Sequence, residues 1–346
     1  MTGRPVTLAI DGMGGDHAPH EVVAGAVEAA SRLPVNLILV GVDSELEREL
    51  ALHNSVPANI EIVHANDIIG MDEGPAKSLR AKADSSIAVS ARLVAEGRAD
   101  GFISAGNTGA AMASALLALG RLPGISRPAI GVMLPAIKRP VFMLDVGANS
   151  DCRPEHLLQF AVMGTAYVHG VLGIEHPSVG LLSIGEESGK GNDLAQEAYR
   201  LLEASQLNFI GNVEGRDIPH GESDIVVTDG FTGNVVLKLM EGMGDFFLSQ
   251  LRERVTADFR GRLGAAMVKP HLQSLRRRVD PEQYGGAQLL GVDGLCIITH
   301  GCSSRRGISQ AVEFAYRAVR EEVLAGIQGS LERIHQRQKG VSRTRH

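Results

Sequence analysis

Short runs of aliphatic and β-branched residues recur along the chain, each closed by glycine, aspartate or a small polar residue. Runs at 6–11, 36–41, 60–64, 101–104, 129–134, 141–145, 179–184, 209–213, 224–228 and 295–300 predict strands. Most are continuous instead of alternating, the pattern of strands covered on both faces. Between them, stretches at 21–33, 86–96, 108–119, 154–171, 193–204 and 307–325 carry apolar positions at helical spacing. Pro154 suits a first helical turn, and Ser85 or Ser86 suits the cap before its helix. This alternation predicts an α/β fold, a three-layer α/β/α domain around a largely parallel, mixed sheet.

One segment departs from the alternation. From 233 to about 278 there is no strand signal, while Phe247, Leu251, Val255, Phe259, Leu263 and Met267 recur every four residues. That spacing predicts an inserted helical hairpin over about 240–278, its apolar stripe packed on the sheet or on a second subunit. Arg252, Arg254, Arg260, Arg262, Lys269, Arg276 and Arg277 surround the stripe, with Glu253 and Asp258 against them. Such a surface is either a solvated face or a docking patch for an acidic partner or an anionic membrane. No repeat or low-complexity linker divides the chain. Residues 1–330 therefore read as one domain, and 331–346, polar and basic, as a flexible tail.

Composition narrows the classes. A net charge of -6, few aromatics and no Trp argue against a nucleic-acid binder. The N-terminal residues show no secretory h-region, and the most apolar stretch, 110–119, falls well short of the ~20 residues that span a bilayer. Cys152, Cys296, Cys302 and the scattered histidines lack CxxC or HxxxH spacing. The expectation is a cytoplasmic protein with reduced thiols, no structural metal and no cofactor.

Candidate chemistry lies where strands end. Loops at 104–109, 145–149, 184–192, 214–217, 229–234 and 300–304 are rich in Gly, Asn, Ser, Thr and acidic residues. Glycine lets a backbone approach a ligand, helix starts offer free N–H groups, and open α/β sheets bind ligands at strand ends. A site built from many loops and suited to an anion such as phosphate is the expectation. Gly12-Met-Gly-Gly-Asp16-His17 is not a dinucleotide fingerprint; it either presents Asp16 and His17 to a cleft or merely turns the chain. The 185–192 loop is one residue short of a P-loop, and Gly191 stands where Ser or Thr would bind magnesium. Lys190 remains a point charge for phosphate. Lys77, Arg80 and Lys82 precede a helix start, in either an ordinary mobile loop or an anion clamp. In Ser104-Ala-Gly-Asn107-Thr108-Gly and Asp229-Gly-Phe-Thr232-Gly-Asn234, amides and hydroxyls can cradle a phosphate or an oxyanion, or simply close turns and caps. Asp229, at a strand end, is a candidate base or orienter. Cys302 lies two residues from His300, but nucleophile and base normally meet through the fold, so an incidental thiol is expected.

Together, Met13-Gly-Gly-Asp16-His17, the 104–109 loop, Leu144-Asp145-Val-Gly-Ala-Asn149, Pro154-Glu155-His-Leu, Gly185-Glu186-Glu-Ser-Gly-Lys190-Gly, Glu214-Gly-Arg-Asp217-Ile, the 229–234 loop and Asp280-Pro-Glu-Gln-Tyr284-Gly-Gly-Ala resemble the PlsX-type phosphate acyltransferases. The likeness runs from about residue 6 to 325. Departures are mild: Gly12, Gly74, Ser188 and Cys302 stand where the family often has other residues. The resemblance implies an isocitrate dehydrogenase- and phosphotransacetylase-like fold and a homodimer. It implies transfer of a long-chain acyl group from acyl carrier protein to inorganic phosphate. The product would feed a membrane glycerol-3-phosphate acyltransferase in phospholipid synthesis, with peripheral membrane contact. In that setting the expected catalytic residues are Asp229, Asn107, Lys190 and Asn234. Asp16, His17, Arg80, Lys82, Ser104, Thr108, Asn149, Glu186, Asp217 and Thr232 are expected to bind phosphate or substrate. The arginine-rich segment would dock the acidic carrier protein. The alternatives are phosphotransacetylase-like transfer from acyl-CoA and a non-catalytic binding protein for acyl carrier protein or a phosphoryl ligand.

Overall fold

A computed structural model describes residues 4–332 apart from 260, 265, 266, 269 and 272–280. Its strands are β1 (Val6–Asp11), β2 (Val35–Gly41), β3 (Ile60–His64), β4 (Gly101–Ser104), β5 (Ala129–Leu134), β6 (Val141–Leu144), β7 (Ser178–Leu182), β8 (Asn208–Val213), β9 (Ile225–Val227), β10 (Ala287–Leu290) and β11 (Leu295–Ile298). All join one sheet in the order β3-β2-β1-β4-β11-β10-β5-β6-β9-β7-β8.

Strand direction divides that sheet. β3, β2, β1, β4 and β11 are mutually parallel. β10 runs against both β11 and β5, and β6 runs against β5. β9, β7 and β8 follow β6. The carboxyl ends of β1, β4 and β11 therefore lie at one edge of the sheet, here the upper edge. Those of β6, β9, β7 and β8 lie at the lower edge.

The helices are α1 (His20–Arg32), α2 (Asp43–Leu50), α3 (Pro75–Ala81), α4 (Ser86–Ala95), α5 (Thr108–Ala118), α6 (Pro154–Leu172), α7 (Asp193–Glu203), α8 (Gly230–Thr256) and α9 (Arg305–Arg320). Strand residues alternate between two cores. Ala9, Phe102, Val141, Met143 and Val226 face a layer that includes α4, α5 and the start of α8. Leu8, Ile10 and Ile103 face α1 and α9, while Phe142, Leu144 and Val227 face α6 and α7. Each fully buried aliphatic side chain contributes about 1.5–3 kcal/mol, which is why the strands read as unbroken apolar runs. Side-chain caps start several helices: Asn107 on α5, Asn192 on α7, Asp229 on α8 and Ser304 on α9.

The structure corrects several expectations. α2, α3 and β10 fall where no element is expected. Beyond α9 the backbone turns at Glu322, with φ 51, and residues 323–332 are again helical. Leu331 is buried in the core, so the polar tail does not begin at 331, and residues 333–346 lie outside the described ones. The helical segment begins ten residues earlier than about 240, because Asp229 caps a single long helix, α8, from Gly230. Only Gly230 and Gly233 of α8 are buried. Phe247, Leu251, Phe259, Leu263 and Met267 are exposed, so the stripe does not pack on this chain's sheet. Arg252, Arg254 and Arg262 are exposed; Arg260, Lys269, Arg276 and Arg277 lie outside the described residues.

Candidate active site

The candidate residues separate into two sets at the two edges. Along the lower edge, the loops after β6, β9, β7 and β8 stand side by side because those strands are neighbours. Asp145 organises the first. Its fully buried carboxylate accepts bonds from the backbone N–H groups of Ile130 at 3.0 Å, Gly147 at 3.2 Å, Ala148 at 3.0 Å and Asn149 at 2.8 Å. It also accepts from the Asn149 side-chain amide at 2.8 Å, which donates as well to the Pro128 carbonyl at 2.7 Å. Burial pushes the Asp145 carboxyl above its ordinary value, against the pull of those bonds.

The first turn of α8 seats on this loop. Gly230 N–H donates to the Asn149 carbonyl at 2.8 Å. A Cβ at Gly230 would lie 2.7 Å from the Asp145 carboxylate, so the close approach requires glycine. Asp229 accepts from Thr232 N–H at 2.9 Å and Thr232 Oγ1 at 2.7 Å, engaging both side chains in the cap. Asn234 is exposed beside Gly147.

In the next loop Lys190 is exposed. Asn192 caps α7, and the Gln196 amide holds the carbonyls of Gly189 and Gly191 at 3.0 Å each. Asn212 ties this loop to β8 through the Glu187 carbonyl at 2.8 Å. Arg216 pairs with Glu214 at 2.8 Å and approaches the exposed Glu186 at 3.6 Å. Asp217 closes its turn by accepting from Glu214 N–H at 2.8 Å.

At the upper edge, the loops after β1, β4 and β11 touch each other. Asp16 N–H donates to the Gly301 carbonyl at 2.8 Å, and a Cβ on Gly14 would fall 2.9 Å from Gly106 N. Asp11, buried at the end of β1, accepts from Ser104 Oγ at 2.7 Å, and Ser104 Oγ accepts from Gly106 N–H at 3.0 Å. Burial raises the Asp11 carboxyl above its usual range. The Asn107 amide clamps the preceding loop, donating to the carbonyls of Met71 at 2.8 Å, Glu73 at 3.1 Å and Gly70 at 3.4 Å while its oxygen caps α5. Lys82 is held by Glu73 at 2.6 Å and the Ile68 carbonyl at 2.7 Å. Asp16, His17, Arg80 and Thr108 are exposed.

Within one chain, then, Asp16, His17, Arg80, Lys82, Ser104, Asn107 and Thr108 share the upper edge. Asn149, Glu186, Lys190, Asp217, Asp229, Thr232 and Asn234 share the lower one. α8 links the two. Glu241 lies eleven residues beyond Gly230, about 17 Å at 1.5 Å per residue, and its Oε1 is 3.5 Å from His300 Nε2 in the upper set. Sequence reasoning missed Asp11, Glu73 and Glu241, and noted Asp145 only as part of a motif. A charged residue ending an apolar strand was the signal available for Asp11 and Asp145. Among the described residues no cluster of His, Cys, Asp and Glu could hold a metal ion.

Comparison with known proteins bears on the family and the fold. Residues 6–325 match the model of a family described as fatty acid synthesis protein. A phosphate acyltransferase from Gloeothece citriformis is 49% identical over 99% of both chains. One from Nostoc punctiforme is 51% identical over 95% of this chain and 97% of its own. Among solved structures, a phosphotransacetylase from Streptococcus pyogenes has a TM-score of 0.60 at 20% identity, covering 92% of this chain and 95% of that one. A branched-chain phosphotransacylase from Enterococcus faecalis has a TM-score of 0.54 at 16% identity, covering 91% and 99%. These last two establish a shared fold. With the relatives matched end to end and the family model over nearly the whole chain, the protein belongs to the PlsX-type phosphate acyltransferases, the acyltransferase family its loops resemble.

Proposed function

We propose that the chain transfers a long-chain fatty acyl group from the thioester of acyl carrier protein to inorganic phosphate, giving an acyl phosphate for phosphatidic acid synthesis. The observation that carries this reading is the row of four loops along the lower edge in a chain of this family. There Asp145, Asn149, Asp229 and Asn192 hold the backbone, while Lys190 and Asn234 are left exposed.

Phosphate near neutral pH is already a competent nucleophile, so aiming and desolvating it matter more than a strong base. Lys190 supplies the point charge that holds it. Asn234 supplies an N–H for the oxyanion that forms as a phosphate oxygen adds to the thioester carbonyl. The intermediate collapses with the C–S bond breaking, and the departing sulfur takes the proton that the attacking hydrogen phosphate gives up. Asp229 acts through its cap, positioning the first turn of α8. The exposed Arg252, Arg254 and Arg262 suit an acidic carrier protein. The exposed apolar row Phe231, Val235, Leu239, Met243 and Phe247 on α8 suits a second copy of the chain in a homodimer. Onward use of the product by a membrane glycerol-3-phosphate acyltransferase calls for contact at a membrane surface. No described helix is long and apolar enough to cross one.

A second reading, phosphotransacetylase-like transfer from acyl-CoA, is favoured by the fold shared with the Streptococcus pyogenes enzyme. The deciding assay gives the purified chain palmitoyl-carrier protein or palmitoyl-CoA with phosphate, and follows free thiol and acyl phosphate. Carrier-protein turnover, with KM for phosphate raised about tenfold or more in Lys190→Ala, supports the first reading. Turnover with acyl-CoA alone moves the assignment to the second, and silence with both removes the enzyme reading.

A further inference from the structure

The three cysteines sit in unlike surroundings. Cys296 is fully buried in β11, and burial alone drives its thiol far up. Cys152 is half-buried, and burial together with the nearby Asp145 charge pushes it up to about 11. Cys302 is exposed, on the loop between β11 and α9.

Only at Cys302 does a described ring nitrogen come within reach. Its Sγ is 3.9 Å from His300 Nδ1, and the opposite ring nitrogen, Nε2, is 3.5 Å from Glu241 Oε1. Glu241 is fixed in turn: its Oε2 accepts from Lys238 Nζ at 2.8 Å. The His300 bond and the Lys238 ammonium hold the Glu241 carboxyl below its usual range, against partial burial. A carboxylate facing Nε2 favours the tautomer protonated there, which leaves the Nδ1 lone pair toward the thiol. Thiol, imidazole and carboxylate thus stand in the order of nucleophile, base and orienter, contributed by the β11–α9 loop and by α8. Cys302 lines an open surface depression together with His17, Ala18, His20, Glu21 and Ser304, so a reagent can approach this loop from solvent.

We infer that Cys302 is the reactive thiol of this chain and a site of mixed-disulfide formation with small-molecule disulfides, with His300 as its base and Glu241 as the orienting group. The step balances without a further reagent. The Cys302 S–H proton passes to His300 Nδ1, and the thiolate attacks one sulfur of the disulfide R–S–S–R. The R–S–S–R bond breaks as the Cys302–S–R bond forms, and the departing R–S⁻ takes the proton back from His300. Cys302 sulfur is oxidised and the leaving thiol reduced. This inference stands apart from the acyl-transfer reading, since it uses none of the lower-edge residues.

The test exposes the folded full-length protein to glutathione disulfide at neutral pH, with the adducts mapped by peptide mass. The expected result is a first equivalent on Cys302, with Cys152 and Cys296 modified only on unfolding. In His300→Ala and in Glu241→Gln, both with unchanged circular dichroism, the Cys302 rate falls about tenfold or more. A Cys302 that reacts no faster than Cys152, or that keeps the parent rate in both variants, overturns the inference.

Discussion

Two glycines of α8 are expected to respond to the same substitution with opposite signs. At Gly244 an added Cβ meets nothing within 4 Å, so Gly244→Ala gains helix propensity of about 1 kcal/mol and little else. At Gly233 the methyl would be driven inside contact with the Asp145 carbonyl. It would reach 2.9 Å from the carbonyl carbon, well inside an ordinary contact of 3.4 Å or more, with the oxygen nearer still. Thr228 Cγ2, at 3.1 Å, blocks the sideways escape. The Asp145 backbone cannot yield freely. Its N–H is bonded to the Thr228 carbonyl at 3.0 Å, and its carboxylate to the loop it organises. Overpacking of about 1–3 kcal/mol and the weakening of two or so hydrogen bonds worth about 1 kcal/mol each outweigh the propensity gain. Gly233→Ala should lose at least about 2–4 kcal/mol, which makes the gap between the two variants at least about 3–5 kcal/mol. Urea unfolding followed by circular dichroism reads both as shifts in midpoint at unchanged slope. Equal stabilities for the two variants would refute the docking of α8 on Asp145, and a destabilised Gly244→Ala would refute the open surroundings at that site.

Other expectations follow from single contacts. Asn107→Ala removes the α5 cap and the clamp on residues 70–73, a loss of about 2 kcal/mol, with faster amide exchange over 70–78 as the local sign. Glu73, held at about 2 by Lys82, the Gly70 N–H and Ser78, is depressed from its ordinary 4.5. Its contribution is fully present above 4.5 and is lost as pH falls through about 2, so a side-chain NMR titration should find no protonation of Glu73 near pH 4. If a second copy covers the α8 stripe, the double variant Leu239→Glu and Phe247→Glu should sediment as a monomer where the parent sediments as a dimer. A monomeric parent at micromolar concentration removes the homodimer proposal.

Much of the fold was legible because buried strands leave a local trace. The runs over β5 and β6 are apolar throughout, β1 is apolar but for Thr7 and its closing Asp11, and each is read close to its true limits. β10 left little trace: four residues after Gly285 and Gly286, with Gln288 at its centre, do not read as a core strand. α2 buries only Leu46 and α3 opens on Pro75, so neither shows an apolar stripe. The site loops were legible for a chemical reason, since glycine, amide and hydroxyl at strand ends mark turns, caps and ligand contacts alike. Their division between two edges was not. It depends on β10 and β6 reversing direction, and strand direction is settled by pairing partners distant in sequence. For a related reason, local reading could not tell that Asn107 already has partners within the fold, since the carbonyls it holds lie more than thirty residues away.

The place of the β10–β11 hairpin in the sheet also orders events during synthesis. β4 and β5 are consecutive in the chain but do not pair; β11 and β10 lie between them. On a ribosome adding about 5–20 residues per second, the N-terminal strands emerge with a gap beside β4 that only residues 287–298 can fill. For on the order of ten seconds or more, β4 and β5 each present an unpaired strand edge, the surface on which nascent chains aggregate. A chain interrupted before residue 287 would therefore lose the seam between its two halves, and chaperone demand should fall on the partly made protein.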